Sequence, residues 1–166
     1  MEHRRLKAEP VTAEGFAPFG EVPVEDGDPD DAVELVFTRA DPHFNFIVHT
    51  YDEVEHTSEG TALCDHLNRH DTATQTLCPL TGDAVLVVAP PAVDFSDPAH
   101  LDTVRAFVLH PHEAVNLALG TWHWGPFPVA PGEVRIANMQ GRGYSTDNAV
   151  ADIARELGAV VEVVGT

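Results

Sequence analysis

The sequence predicts a mainly β chain folded as a barrel or a two-layered sandwich. Three observations carry this. From residue 35 onward the chain is a series of short runs rich in β-branched and aromatic residues, bounded by Pro, Gly or Asp. Several runs alternate apolar and polar residues with period two, as half-buried strands do. The runs also recur at near-regular spacing, as in closed or stacked antiparallel sheets. No Gly-rich phosphate loop follows any of them, so nucleotide binding has no support.

In chain order, "PVTAEGFAPFG" opens with Thr12 as the N-cap of a short helix that Pro18 and Gly20 close. Residues 24–34, "VEDGDPDDAVE", are acidic and carry Gly and Pro, and so read as a surface loop. Strands are then expected at "ELVFT", "FNFIVHTY", "TQTLCPL", "AVLVVAP", "VRAFVLH", "AVNLAL" and "EVRIANM". "HPH" at 110–112 imitates a metal pair, but Pro111 and its strand-end place favour a turn. "STDNAVADIARELG" reads as a C-terminal helix capped by Ser145 or Thr146, striped by Ala149, Ile153 and Leu157, and stopped by Gly158. "AVVEVV" is the last strand.

The bulk properties set bounds. A chain of 166 residues with 43% hydrophobic content can bury a core as one domain, 1–166. Cys64 and Cys78 form neither a metal-finger spacing nor a disulfide framework, so reduced, buried thiols of a cytoplasmic protein are expected. "MEHRRLKAEP" has no apolar run behind it and is not a signal peptide. A net charge of −18 repels nucleic acid and anionic lipid, which excludes both as partners. The same field opposes acid substrates at long range, so an acid ligand needs local cations. Arg105 shares strand parity with Phe107 and Leu109, and a buried guanidinium needs an anion, either a structural carboxylate or a substrate's. Arg69 is the competing clamp, since guanidinium geometry suits a carboxylate.

Two half-motifs point to the chemistry. Asn68-x-His70-x4-Gln75-x6-Gly82 has the spacing of the first cupin motif, and Gly120-x2-His123 that of the second, about 50 residues on. Together, in a β chain, they imply a cupin-like double-stranded β-helix. The donors differ from those of a metal-binding cupin. Two imidazoles without a carboxylate give little charge compensation. His70, Gln75 and His123 would make at most a weak metal site, which Asp71 or His66 would strengthen. The expectation is no required cofactor, or a weakly held divalent ion.

The resemblance is closer than to cupins at large. "RHDTATQTLCPLTGDAVLVVA", "TVRAFVL" and "EAVNLALGTWHWGPF", with "VTAEGFAPFGEV" near the start, resemble segments of the ureidoglycolate lyase family over most of the chain. That resemblance implies a cupin-like barrel, a homodimer, and cleavage of ureidoglycolate to glyoxylate and urea. His70, Gln75, Arg105, Asn116, Trp122 and His123 match the family pattern, whereas Leu117, Ala118 and Trp124 replace a tyrosine and two histidines. Asn138 stands where the family carries an aspartate. The expected site is therefore His70 and His123 as an acid/base pair. Gln75 completes the catalytic group, and Asn68, Arg69, Arg105, Asn116 and Trp122 contact a small acid substrate. Two other readings stay open: a lyase, isomerase or hydrolase acting on another small hydroxy- or oxo-acid, and a cupin that binds a small acid without turnover.

Overall fold

A computed structural model describes residues 1–25, 32–39 and 41–166. The acidic loop expected at 24–34 falls largely outside them. Thirteen strands are seen among the described residues. They are β1 (Glu2–Pro10), β2 (Gly20–Glu21), β3 (Pro42–Thr50), β4 (Ala62–Cys64), β5 (Leu67–Arg69), β6 (Gln75–Pro79) and β7 (Ala84–Ala89). The chain continues through β8 (Arg105–Leu109), β9 (Val115–Leu117), β10 (Trp122–Pro128), β11 (Glu133–Gly141), β12 (Ala149–Ala151) and β13 (Ala159–Val164). Helix α1 (Ala13–Phe16) follows β1, and α2 (Ile153–Leu157) joins β12 to β13.

Eight strands form one sheet, ordered β12-β5-β10-β7-β8-β1-β13-β4. All eight contribute to a single apolar cluster, from Ala151 and Leu67 through Trp122, Val87, Ala106 and Ala8 to Val161 and Cys64. One face can gather residues from every strand only if the sheet curls around them. The opposite face of β7 and β8 (Leu86, Val88, Phe107 and Leu109) packs on the second sheet, ordered β2-β9-β6-β11-β3. Leu77, Val115, Leu117, Val134 and Ile136 complete this inter-sheet core. The architecture is mainly β and consistent with the expected cupin-like barrel.

The period-two runs become strands because alternation matches the pleat. In β11, Val134 and Ile136 are fully buried while Glu133 and Arg135 face solvent. The expected short helix is α1. The Thr12 hydroxyl accepts the Gly15 N–H at 3.0 Å, and Phe16 and Phe19 pack edge-on to Phe107 with ring centroids 5.3 and 5.8 Å away.

Three expectations are corrected. The C-terminal helix shrinks to α2, because residues 149–151 pair with β5 as strand β12. Asp152, not Ser145 or Thr146, is its cap, accepting the Arg155 N–H at 2.9 Å. Gly158 does end it, in the left-handed conformation at φ 65° that glycine adopts freely. "ELVFT" is no named strand; it makes only the bridge Phe37↔Ala73. The charged N-terminus, for which no element was expected, is β1, paired in parallel with β13 and, further along, with β8. "HPH" lies in the β8–β9 turn, where His110 pairs with Asp83 at 2.9 Å.

Candidate active site

The two half-motifs meet at one end of the inter-sheet space. In the large sheet His123 is in register with Asn68 on one side and Val88 on the other. Registered neighbours share a face, so His123 and Asn68 point inward with Val88. His70 lies just past β5. The glycine turn before β10 docks on it: Gly120 N–H donates to His70 O at 2.8 Å. Gly120 sits at φ 77°, and a Cβ there would lie 3.3 Å from Asp71 Oδ1 and from Pro91 Cβ. The conformation favours glycine, and a Cβ would also crowd these neighbours. The rings of His70 and His123 end up 5.2 Å apart, tilted by 52°.

Around them is a cavity of about 360 Å³, open to solvent. β3 supplies Asn45, Ile47 and His49, β6 supplies Gln75, and β11 supplies Gln140. His66, Asn68 and Asn148 line the other side, and Trp124, Gly125 and Phe127 close it. No Lys or Arg side chain belongs to this lining.

Each imidazole is fixed through Nδ1. His123 Nδ1 lies 3.1 Å from the Thr121 carbonyl, and His70 Nδ1 lies 2.5 Å from the Asp147 carbonyl. A carbonyl can only accept, so both rings carry hydrogen on Nδ1, and Nε2 is the basic nitrogen of each neutral ring. His123 is 6% exposed. Burial, and then the neighbouring His70 ring, pull its pKa down to about 4. At neutral pH it is an uncharged base.

Asp147 holds the His70 loop through its side chain. Its carboxylate accepts the Asp71 N–H at 3.0 Å, the Thr72 N–H at 2.9 Å and the Thr72 hydroxyl. Burial raises its pKa, but the hydrogen bonds from Thr72 and Asp71 and the nearby His70 outweigh that and leave it below the usual carboxylate value.

Gln75 is 7% exposed, and its Nε2 donates to Asn138 Oδ1 at 2.9 Å. Its Oε1 is buried without a hydrogen-bond partner. Asn138 Nδ2 in turn donates to Asn45 Oδ1 at 2.7 Å. Asn68 Oδ1 accepts from Asn148 Nδ2 at 3.3 Å. Among the described residues, no three His, Cys, Asp or Glu side chains form a group that could hold a metal. The metal-capable donors at the centre are two imidazoles and one amide oxygen.

Four expected contacts lie elsewhere. Trp122 and Arg69 follow the opposite pleat parity from His123 and Asn68. Trp122 enters the other core and donates Nε1–H to Val93 O at 3.0 Å, while Arg69 stacks over it at 4.7 Å and pairs with Asp71. Arg105 is outside the cavity lining, and its anion is structural: its Nε donates to Glu9 Oε1 at 3.1 Å across the β1–β8 pair. Asn116 faces away from the histidines and ties segments together. Its Oδ1 accepts from the Thr76 hydroxyl at 2.9 Å, and its Nδ2 donates to Glu34 O at 3.0 Å. His70, His123, Gln75 and Asn68 do converge.

Sequence reasoning marked Asn138 only as the place of the family's aspartate, and it missed Asn45, Gln140, Asn148 and Asp147 as parts of the site. Strand parity was the available signal for three of them. Asn138 and Gln140 continue the inward series of Val134 and Ile136, and Asn45 precedes Ile47 in its own.

Fold and cavity together define a mainly β protein with a pocket of small-molecule size. A family model described as Ureidoglycolate lyase matches residues 3–152. The ureidoglycolate lyase of Pseudomonas paraeruginosa (strain DSM 24068 / PA7) is similar, 32% identical over 158 residues, covering 87% of this chain and 89% of the relative. That of Stutzerimonas stutzeri (strain A1501) is 31% identical, covering 87% and 88%. That of Pseudomonas syringae pv. syringae (strain B728a) is 30% identical over 161 residues, covering 87% and 88%. The chain belongs to the ureidoglycolate lyase family, and it is an enzyme of the lyase type. No helix among the described residues is long and apolar enough to cross a membrane.

Proposed function

We propose that this chain cleaves ureidoglycolate to glyoxylate and urea, with His123 as base and His70 as acid. The observation that carries the reading is the pair of imidazoles, 5.2 Å apart in one cavity and each held through Nδ1. Family membership supplies the substrate class.

The chemistry balances without water. Neutral His123 takes the carbinol hydroxyl proton through Nε2. The C–O bond becomes C=O, giving glyoxylate, and the C–N bond breaks with its electron pair on nitrogen. Protonated His70 gives that nitrogen its proton, and urea leaves. The proton then returns from His123 to His70 through solvent in the open cavity. A base kept neutral by burial is ready at neutral pH, and general acid–base catalysis of this kind contributes roughly 10² to 10⁴ in rate.

Gln75 Oε1 accepts from the ureido group. With Arg69 and Arg105 committed to Asp71 and Glu9, the substrate carboxylate points to the cavity rim. There His49 and His66 sit beside Glu53 and Asp65 at 2.7 and 2.6 Å. No step needs a metal, and two imidazoles with an amide oxygen would hold a divalent ion weakly. We place the enzyme in ureide nitrogen breakdown in the cytoplasm, acting as a homodimer.

Glyoxylate release from ureidoglycolate is the test. Wild-type protein should release it, and a chelator should leave the rate unchanged. His123→Ala and His70→Ala should each lower kcat by about 100-fold or more while affinity for ureidoacetate, the analogue without the hydroxyl, stays within about threefold. No release from wild-type protein, with or without added divalent ions, overturns the reading. A rate that needs added metal removes the metal-free step.

A further inference from the structure

Gln75 Oε1 is a buried acceptor with no partner, next to the two histidines. Such an atom costs free energy unless something arrives to satisfy it. Its orientation is not its own choice. Gln75 Nε2 donates to Asn138 Oδ1, and Asn138 Nδ2 donates to Asn45 Oδ1. Asn138 is completely buried and makes both contacts. A chain of three amides has a direction: each link spends one donor and one acceptor. Its two ends must therefore show opposite hydrogen-bonding character. The Gln75 end shows oxygen, and the Asn45 end has its Nδ2 hydrogens left to offer. Both end residues line the cavity.

We propose that Asn138 is a positioning residue that sets this polarity, and that the cavity thereby selects a ligand ending in a carboxamide edge, with N–H and C=O side by side. The inference rests on the ureidoglycolate reading and goes beyond it by assigning specificity to a residue that does not itself line the cavity. The ligand's terminal N–H meets Gln75 Oε1. A ligand with a methyl group in place of that amino group leaves the oxygen unsatisfied and is rejected, as buried polar sites reject analogues that lack the matching group.

Two non-cleavable probes isolate the effect. Ureidoacetate carries the terminal NH2, and N-acetylglycine carries CH3 in its place. Wild-type protein should bind ureidoacetate at least about tenfold more tightly. Asn138→Asp still accepts from Gln75 Nε2 whether charged or neutral, so Gln75 keeps its oxygen outward and the preference should stay within about threefold of wild type. Asn138→Leu removes the acceptor, frees the Gln75 amide to turn, and should reduce the preference to below about threefold. Circular dichroism and thermal melting establish that each variant is folded. If Asn138→Leu does not fold, Asn138→Val, a smaller apolar residue that also lacks the acceptor, takes its place.

The proposal is overturned if wild-type protein does not discriminate between the probes. It is equally overturned if Asn138→Asp loses the preference as fully as Asn138→Leu, because bulk packing would then be the cause. Glyoxylate release by the wild type separates the two levels. Release without discrimination defeats the role of Asn138 alone. Absence of both release and ureidoacetate binding defeats the functional reading and this inference with it.

Discussion

His123 stays uncharged because its ring is buried in the cavity wall. Its folded pKa is about 4, against 6.5 for a free imidazole. Between those values the unfolded chain binds the proton and the folded protein does not, so stability rises with pH across that window and is lost as pH falls through it. The shift corresponds to roughly 3 kcal/mol at full extent. Urea titrations at pH 7.5 and 4.5 should show a loss of that order, and His123→Gln should remove most of the difference. Arg105 gives the opposite kind of prediction. Its side chain is 37% exposed and its partner Glu9 is 45% exposed, so the pair contributes under about 1 kcal/mol. Arg105→Ala should change KM for ureidoglycolate less than about threefold, as measured by initial rates. The sequence showed Arg105 needing an anion and left the anion's identity open. A glutamate almost a hundred positions away supplies it, and a pairing that distant carries no local signal.

At the scale of elements, the site depends on how two loops are tied to strand ends. Asp147→Ala would leave the Asp71 and Thr72 amides without their acceptor, at a cost of about 1 to 3 kcal/mol. The same change loosens the carbonyl that aims His70. We expect kcat to fall by about tenfold with a smaller change in KM, because orientation is lost and binding groups remain. Steady-state kinetics with a melting curve separates the two effects. Strands with clean alternation, such as β3 and β11, were legible because apolar side chains recur along one row, Phe44, Phe46 and Val48 in β3 and Val134 and Ile136 in β11. β1 was hidden because "EHRRLKAEP" has few apolar positions, and parallel pairing holds it instead, with β13 along residues 2–7 and with β8 along residues 8–10. β10 was hidden by the Gly125-Pro126 pair, which produces a break in register between Trp124 and Phe127. The C-terminal helix was misread because Ala149 and Ile153 mimic a helical stripe. Pairing of residues 149–151 with β5 overrides that propensity, and Asp147 bonds to the His70 loop.

For the whole molecule, convergence of His70 and His123 was legible from two half-motifs, because a curled sheet brings strand ends from distant segments to one end. The substrate-contact residues were less legible. Trp122 and Asn68 follow opposite parities, and only register reveals which parity faces the cavity. The outer row of β3 bears Phe44, Phe46 and Val48, each about half exposed, at the end of the second sheet. The proposed homodimer would cover this row and so take three large apolar side chains out of water. Sedimentation should give a dimer for the wild type, and Phe46→Asp should shift it towards monomer. A monomeric wild type would rule this assembly out.

The first strand is held by two segments synthesised after it. Residues 2–7 of β1 pair with β13, and residues 8–10 pair with β8. On the ribosome, residues 2–7 must wait unpaired until Ala159 and its neighbours emerge. A pairing between segments so distant in sequence makes folding slow. A premature stop before Ala159 should therefore yield a product that is cleared by proteases rather than a weakened enzyme.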